Sequence, residues 1–138
     1  MSMRKTAKSL TLAYLKDQGI PVRSTKVGLN FQYEGWNCLL WHDADDPDFF
    51  RLALPGILDV TDANYASALM ACNTLNWNYK VVKASLYEYE EGGVVRASVW
   101  VCYEQLLDGD SVERLVPRAL QALVEAAERF QTLVDEGK

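Results

Sequence analysis

The feature that most constrains this chain is an abrupt change of hydrophobic period at residues 27–42. Val27, Leu29, Phe31 and Tyr33 alternate with Gly28, Asn30, Gln32 and Glu34. A period of two sends the first set to one face of a strand and the second set to the other. Glu34-Gly35 then predicts a two-residue hairpin turn, with Gly supplying a positive φ, and residues 36–42 return. That loop length dictates the register: Tyr33 faces Trp36, Phe31 faces Cys38, and Leu29 faces Leu40. Directly opposed residues share a face. Trp36, Cys38 and Leu40 are therefore core residues, and Leu39 and Trp41 point the other way, beside Asn30 and Gly28.

The other segments follow from the same arithmetic. Met3, Ala7, Leu10 and Tyr14 form one apolar stripe at helical spacing, widened by Leu15, and Gly19-Ile20-Pro21 is a stop signal. Residues 49–54 read as a third strand with Phe50, Leu52 and Leu54 on its apolar face, ended by Pro55-Gly56. Asp59, Thr61 and Asp62 are candidate caps for a second helix, with Tyr65, Leu69, Cys72 and Leu75 down its buried side. Val82, Ala84 and Leu86 begin a second hairpin. A turn centred on Glu91-Gly92 would pair Leu86 with Ala97, placing Ala97, Val99 and Val101 in the core and Arg96, Ser98, Trp100 and Cys102 opposite.

Asp110 and Glu113 have capping-box spacing ahead of a long helix. Its stripe is Leu115, Ala119, Leu120, Leu123, Ala127, Phe130 and Val134. Pro117 either separates a first turn or kinks this helix. The predicted order is α-β-β-β-α-β-β-α. This is a single α+β domain over residues 1–138, an antiparallel sheet of about five strands with helices on one face.

Composition narrows the function. The chain has 14 basic and 19 acidic residues, a formal charge of −5, so it lacks the basic surface of a nucleic-acid binder. No apolar run approaches the roughly 18 residues of a membrane span. The basic residues 1–8 lead into no secretory apolar region. Cys38, Cys72 and Cys102 are odd in number and include no CxxC pair, which predicts free thiols in a reducing compartment. The expectation is a cytoplasmic protein.

Chemistry-bearing motifs are sparse. His42-Asp43-Ala44-Asp45-Asp46-Pro47-Asp48 holds the single His, and its alternating carboxylates suit a hard cation. Yet the run has no Gly at the bend and no closing Glu, and Pro47 interrupts it, so it reads as a solvated turn. Nothing in the register brings a Ser or Cys nucleophile to His42. Gly92-Gly93 belongs to a hairpin rather than a phosphate loop. Asn73 and Asn76 read as residues that satisfy backbone groups at a helix end. Tyr87-Glu88-Tyr89-Glu90-Glu91 reads as a solvated strand end, or as a docking edge for a basic partner segment. No catalytic residue, metal ligand or cofactor is predicted.

One surface departs from this pattern. The face opposite the helices should be polar, but the register gives it Leu39, Trp41, Phe49 and Trp100. Contiguous apolar patches mark interaction sites, and Trp is enriched at the centres of interfaces. These four residues are the candidate partner-binding set, for a homodimer or for a protein or peptide client. The alternatives are a loop folded over this face, or a small-molecule-binding or catalytic domain whose site carries no sequence signature.

The element order, length and acidic balance resemble the type III secretion chaperone-like fold. Within that group, Asn73-Thr74-Leu75-Asn76 followed by Tyr79-Lys80-Val81-Val82-Lys83 resembles the YbjN-like family. That family carries Asn-x-x-Asn ahead of a Lys-containing strand and is labelled as bacterial sensory transduction regulators. The resemblance implies a fold more than an activity; together with the open-face patch and the acidic charge it supports a non-enzymatic interaction protein, chaperone-like or regulatory. It supplies no catalytic residues.

Overall fold

The computed structural model describes residues 5–107 and 111–137. Met3 and Asp110 of the expected helix signals lie outside the described residues. The elements are α1 (Ala7–Asp17), β1 (Val22–Ser24), β2 (Gly28–Tyr33), β3 (Trp36–Trp41), β4 (Phe49–Val60), α2 (Tyr65–Asn78), β5 (Val82–Glu91), β6 (Val94–Leu106) and α3 (Val112–Glu136). The described strands form one antiparallel sheet in the order β1-β2-β3-β4-β6-β5. The helices cover one face of it, as the α+β reading requires.

The sheet has six strands rather than five. The added one, β1, pairs Val22 with Phe31 and is three residues long, too short for a period to show. The β2–β3 register matches the turn arithmetic: Tyr33 faces Trp36, Phe31 faces Cys38 and Leu29 faces Leu40. Glu34 and Gly35 both have positive φ, +49° and +82°, as a type I′ turn demands. The strand β4 does not stop at Pro55-Gly56. Its pairing to β6 shifts register between Leu54 and Leu58 and then resumes to Val60, a bulge with Gly56 at φ +61°.

The β5–β6 turn lies one residue later than expected, at Gly92-Gly93, because Glu91 pairs with Val94. Leu86 therefore faces Val99 rather than Ala97. Pairing shifts by two residues, and an even shift leaves every side chain on its face.

The helix α1 opens on a capping box: Thr6 Oγ1 accepts from the Ser9 N–H at 3.1 Å, and Ser9 Oγ accepts from the Thr6 N–H at 2.9 Å. It buries Ala7, Thr11 and Leu15, with Leu10 and Tyr14 only partly covered. The long helix α3 runs through Pro117 without interruption, and all seven residues of its expected stripe are buried. Pro117 has no N–H for the Glu113 carbonyl, so one bond of the second turn is missing.

The helix α2 differs from expectation. It buries Ala68, Ala71, Cys72 and Leu75, while Tyr65 and Leu69 are exposed. Small side chains let it sit close to the sheet and to α3, with Leu75 the one large side chain buried there, while Tyr65, Leu69, Met70 and Trp77 turn outward. The core lies between the sheet and the helices, around Leu15, Leu40, Phe50, Leu52, Leu123 and Phe130.

Candidate functional site

The open face is assembled by strand order. β3, β4, β6 and β5 lie side by side, so Trp41 aligns with Arg51 and Arg51 with Glu104. In the next row, Leu39 aligns with Ala53, Ala53 with Cys102, and Cys102 with Lys83. Trp100 and Tyr87 follow on β6 and β5, opposite Ser85 and Ser98.

The aromatic rings make a continuous row across three strands. Ring centroids lie 5.8 Å apart for Trp41–Trp100, 4.9 Å for Tyr87–Trp100 and 6.3 Å for Tyr87–Tyr89. These are distances of favourable offset and tilted ring contact. The Arg51 guanidinium sits 5.2 Å from the ring centre of Trp41 and 5.2 Å from that of Phe49, within cation–π range of both. Of the four expected residues, Trp41 and Trp100 touch each other, and Phe49 joins them through Arg51.

Leu39 lies deeper. It is 9 % exposed, beside Ala53 and Cys102, which are also buried although none of the three belongs to the main core. The open face thus carries a thin apolar layer of its own.

An ion triad borders the rings. Glu104 accepts from Arg51 Nε at 2.6 Å and from Lys83 Nζ at 2.7 Å. Partial burial pushes the Glu104 carboxyl upward. The hydrogen bonds from Lys83 and Arg51, together with their charges, outweigh this and hold it below the usual carboxylate range. Both cations are thereby engaged by one carboxylate. A depression of about 150 Å³ lies among Trp41, Trp100, Tyr87 and this triad. A second, of about 400 Å³, lies among Pro55, Gly56, Tyr87, Tyr89 and Trp100. Trp100 and Tyr87 separate the two.

Sequence reasoning did not place Arg51, Lys83, Glu104, Tyr87 or Tyr89 at this site. The Tyr87/Tyr89 alternation was a usable signal. Arg51 and Glu104 are 53 positions apart, and only the β4–β6 adjacency joins them. A second apolar surface was also missed. Outward on α2, Trp77 is 86 %, Met70 71 %, Tyr65 52 % and Leu69 42 % exposed. Its signal was a helix with apolar residues on every side.

The remaining candidates have structural roles. Asp43 Oδ1 accepts from the Asp45 N–H at 2.9 Å, and the Pro47 carbonyl accepts from the Ala7 N–H at 2.8 Å, so the acidic turn docks the start of α1. The Asn76 side chain donates to the Ala84 carbonyl at 3.0 Å and accepts its N–H at 2.7 Å, capping the free edge of β5. Burial pushes the Cys38 thiol up to about 12 and the Cys72 and Cys102 thiols up to about 11, which suppresses thiolate formation. Among the described residues, no group of three or more His, Cys, Asp or Glu side chains could hold a metal ion. Among the same residues, no helix is long and apolar enough to cross a membrane.

The YbjN family model, described as "Putative bacterial sensory transduction regulator", matches residues 14–132. The fold is similar to that of YbjN from E. coli, whose crystal structure is described as that of "a putative transcription regulator". The TM-score is 0.60 at 11 % sequence identity, over 84 % of each chain. No curated protein matches the sequence.

Proposed function

The chain belongs to the YbjN family, whose description is regulatory, and we propose that it works without catalysis, as a protein-interaction module whose open sheet face receives an extended segment of a partner protein. The observation that carries this reading is the unbroken row Trp41–Trp100–Tyr87–Tyr89 on the face that the helices leave uncovered. The rings offer apolar faces at spacings of 5–6 Å, with depressions on both sides of Trp100. An apolar or proline side chain can pack against these ring faces in a depression, and two successive ones along an extended segment would occupy the two depressions.

The charges favour an apolar segment over an anionic small molecule. Arg51 and Lys83 are already paired with Glu104, so an anion would have to displace that carboxylate. The buried free cysteines suit the cytoplasm, where such a segment would be met.

A library of immobilised extended peptides tests the reading. Wild-type protein is expected to select apolar or proline-containing sequences. Trp41→Glu combined with Trp100→Glu should remove that binding while the circular dichroism spectrum stays native. A double variant that binds the same peptides would sink the proposal.

A further inference from the structure

The helix side of the sheet carries a depression of about 330 Å³ between the end of β6 and the start of α3, lined by Tyr103, Gln105, Ser111, Arg114, Leu115 and Arg118. Its lining holds two arginines and no carboxylate, in a chain of formal charge −5. Arg114 and Arg118 stand four residues apart, on one face of α3, and like charges at that spacing repel each other. Arg114 also lies in the first turn, at the positive end of the helix dipole, where a cation is disfavoured. No carboxylate offsets this. Arg51 and Lys83 are ion-paired to Glu104 and Arg96 to Glu91, but Arg114 and Arg118 have no such partner among the described residues. Tyr103 supplies an independent sign of a ligand. It is 3 % exposed, with its ring nearly perpendicular to that of Phe50. Its hydroxyl makes no hydrogen bond among the described residues, where Thr11 Oγ1 is the one fully buried side-chain polar atom without a partner. The Tyr103 hydroxyl therefore reaches solvent, and it does so at the depression that the residue lines.

We propose that this depression binds a small phosphate monoester by its phosphate group. A guanidinium presents a planar fork of N–H donors that matches phosphate oxygens. Arg114 and Arg118, on successive turns, would hold two sides of one phosphate, whose charge of about −2 at neutral pH balances both cations. Tyr103 and Gln105 are two residues apart on β6, so they offer a hydroxyl and an amide from the same face. The Ser111 side chain makes no capping hydrogen bond to the first turn of α3, which leaves N–H donors and the positive end of the helix dipole for the anion. Binding thus turns two unfavourable placements of charge into favourable ones. The rest of the ligand is small, because the volume is near the lower end of the roughly 300–1,000 Å³ of ligand cavities. Leu115 and the Tyr103 ring give it an apolar wall. A nucleic-acid backbone fits less well, since a polyanion needs a long basic surface and this chain is acidic. A dicarboxylate divides its two charges between separate groups, whereas a phosphate concentrates them between the two arginines. None of these residues belongs to the aromatic row or to the ion triad, so the site stands independently of the open face.

Isothermal titration calorimetry on the full chain, in a phosphate-free buffer of low ionic strength, tests this. The probes are phenyl phosphate as a simple monoester, inorganic phosphate, and succinate as a dianion without phosphorus. Phenyl phosphate is expected to saturate a single site per chain and to bind more tightly than either of the others. Arg114→Gln and, separately, Arg118→Gln should each weaken it about tenfold or more. Tyr103→Phe keeps the packed ring and removes only the hydroxyl, and should weaken it about fivefold. Arg23→Gln, at an exposed position on β1, should leave binding unchanged. Without ligand, neither α3 variant should lower the midpoint of urea unfolding, because each removes a like-charge repulsion. A loss of stability there would assign the arginines a structural role and overturn the proposal. It is also overturned if phenyl phosphate fails to saturate, if succinate binds as tightly, or if the α3 variants bind as the wild type does. Tighter binding of inorganic phosphate would assign the site to the free anion, and an equal loss in Arg23→Gln would show a diffuse charge effect; either result overturns the monoester site.

Discussion

Thr11 places a fully buried hydroxyl on α1, and its Oγ1 has no hydrogen-bond partner among the described residues. A buried polar atom without a partner costs on the order of 1–3 kcal/mol. Thr11→Val keeps the shape and removes the hydroxyl, so it should raise stability by about 1 kcal/mol in urea titration. Glu104 presents the opposite case, a carboxylate with two cationic partners. Its carboxyl is held below the usual value of 4.5, so the native state binds its proton less readily than the unfolded chain does. The stabilisation is therefore complete above about 4.5 and is lost as the pH falls below that, through the lower native value. Glu104→Gln should cost on the order of 1 kcal/mol at neutral pH, a modest figure because water screens the half-exposed Arg51 and Lys83. Its unfolding curve should converge with the wild-type curve in acid.

At the level of elements, α3 and the α2–β5 junction carry different kinds of stability. Leu123 is fully buried at the centre of α3. Leu123→Ala should cost about 2–5 kcal/mol by loss of contacts and creation of a cavity. A loss under about half a kcal/mol would be too small for a core position. Asn76 instead holds the edge of β5 through both backbone groups of Ala84. Asn76→Ala strips those partners from a part-buried edge and should cost about 1–3 kcal/mol. Hydrogen exchange should show the loss at the Ala84 amide first. The same junction holds Val81 at φ +67°, a conformation that β-branched residues rarely adopt. Val81→Gly relieves that backbone strain at an exposed side chain, and it should raise the midpoint of urea unfolding.

Across the whole molecule, the three cysteines sample three regions: Cys38 on the core face of the sheet, Cys72 on α2 and Cys102 beneath the open-face rings. All are buried, with thiols pushed up to about 11 or 12. Each should resist a thiol reagent in native buffer and react only as fast as the chain unfolds. A Cys102 that reacts much sooner than the other two would show that the ring layer opens separately. The sequence by itself determined the faces of the residues it placed in β2 to β6, because alternation is a local property and the Glu34-Gly35 turn fixes one register; Val27, expected on the core face, instead precedes β2 and is exposed. Even the misplaced β5–β6 turn preserved those faces, since the error was an even number of residues. The sequence also determined the buried stripe of α3, where apolar and charged residues segregate cleanly. Only the tertiary structure decided the strand order, which brings Arg51 to Glu104 and Trp41 to Trp100 across the chain. It alone decided which side of α2 faces inward. That helix has no charged residue to mark its wet side, so close packing of Ala68 and Ala71 against the sheet and α3 settled the orientation and left Met70 and Trp77 outside.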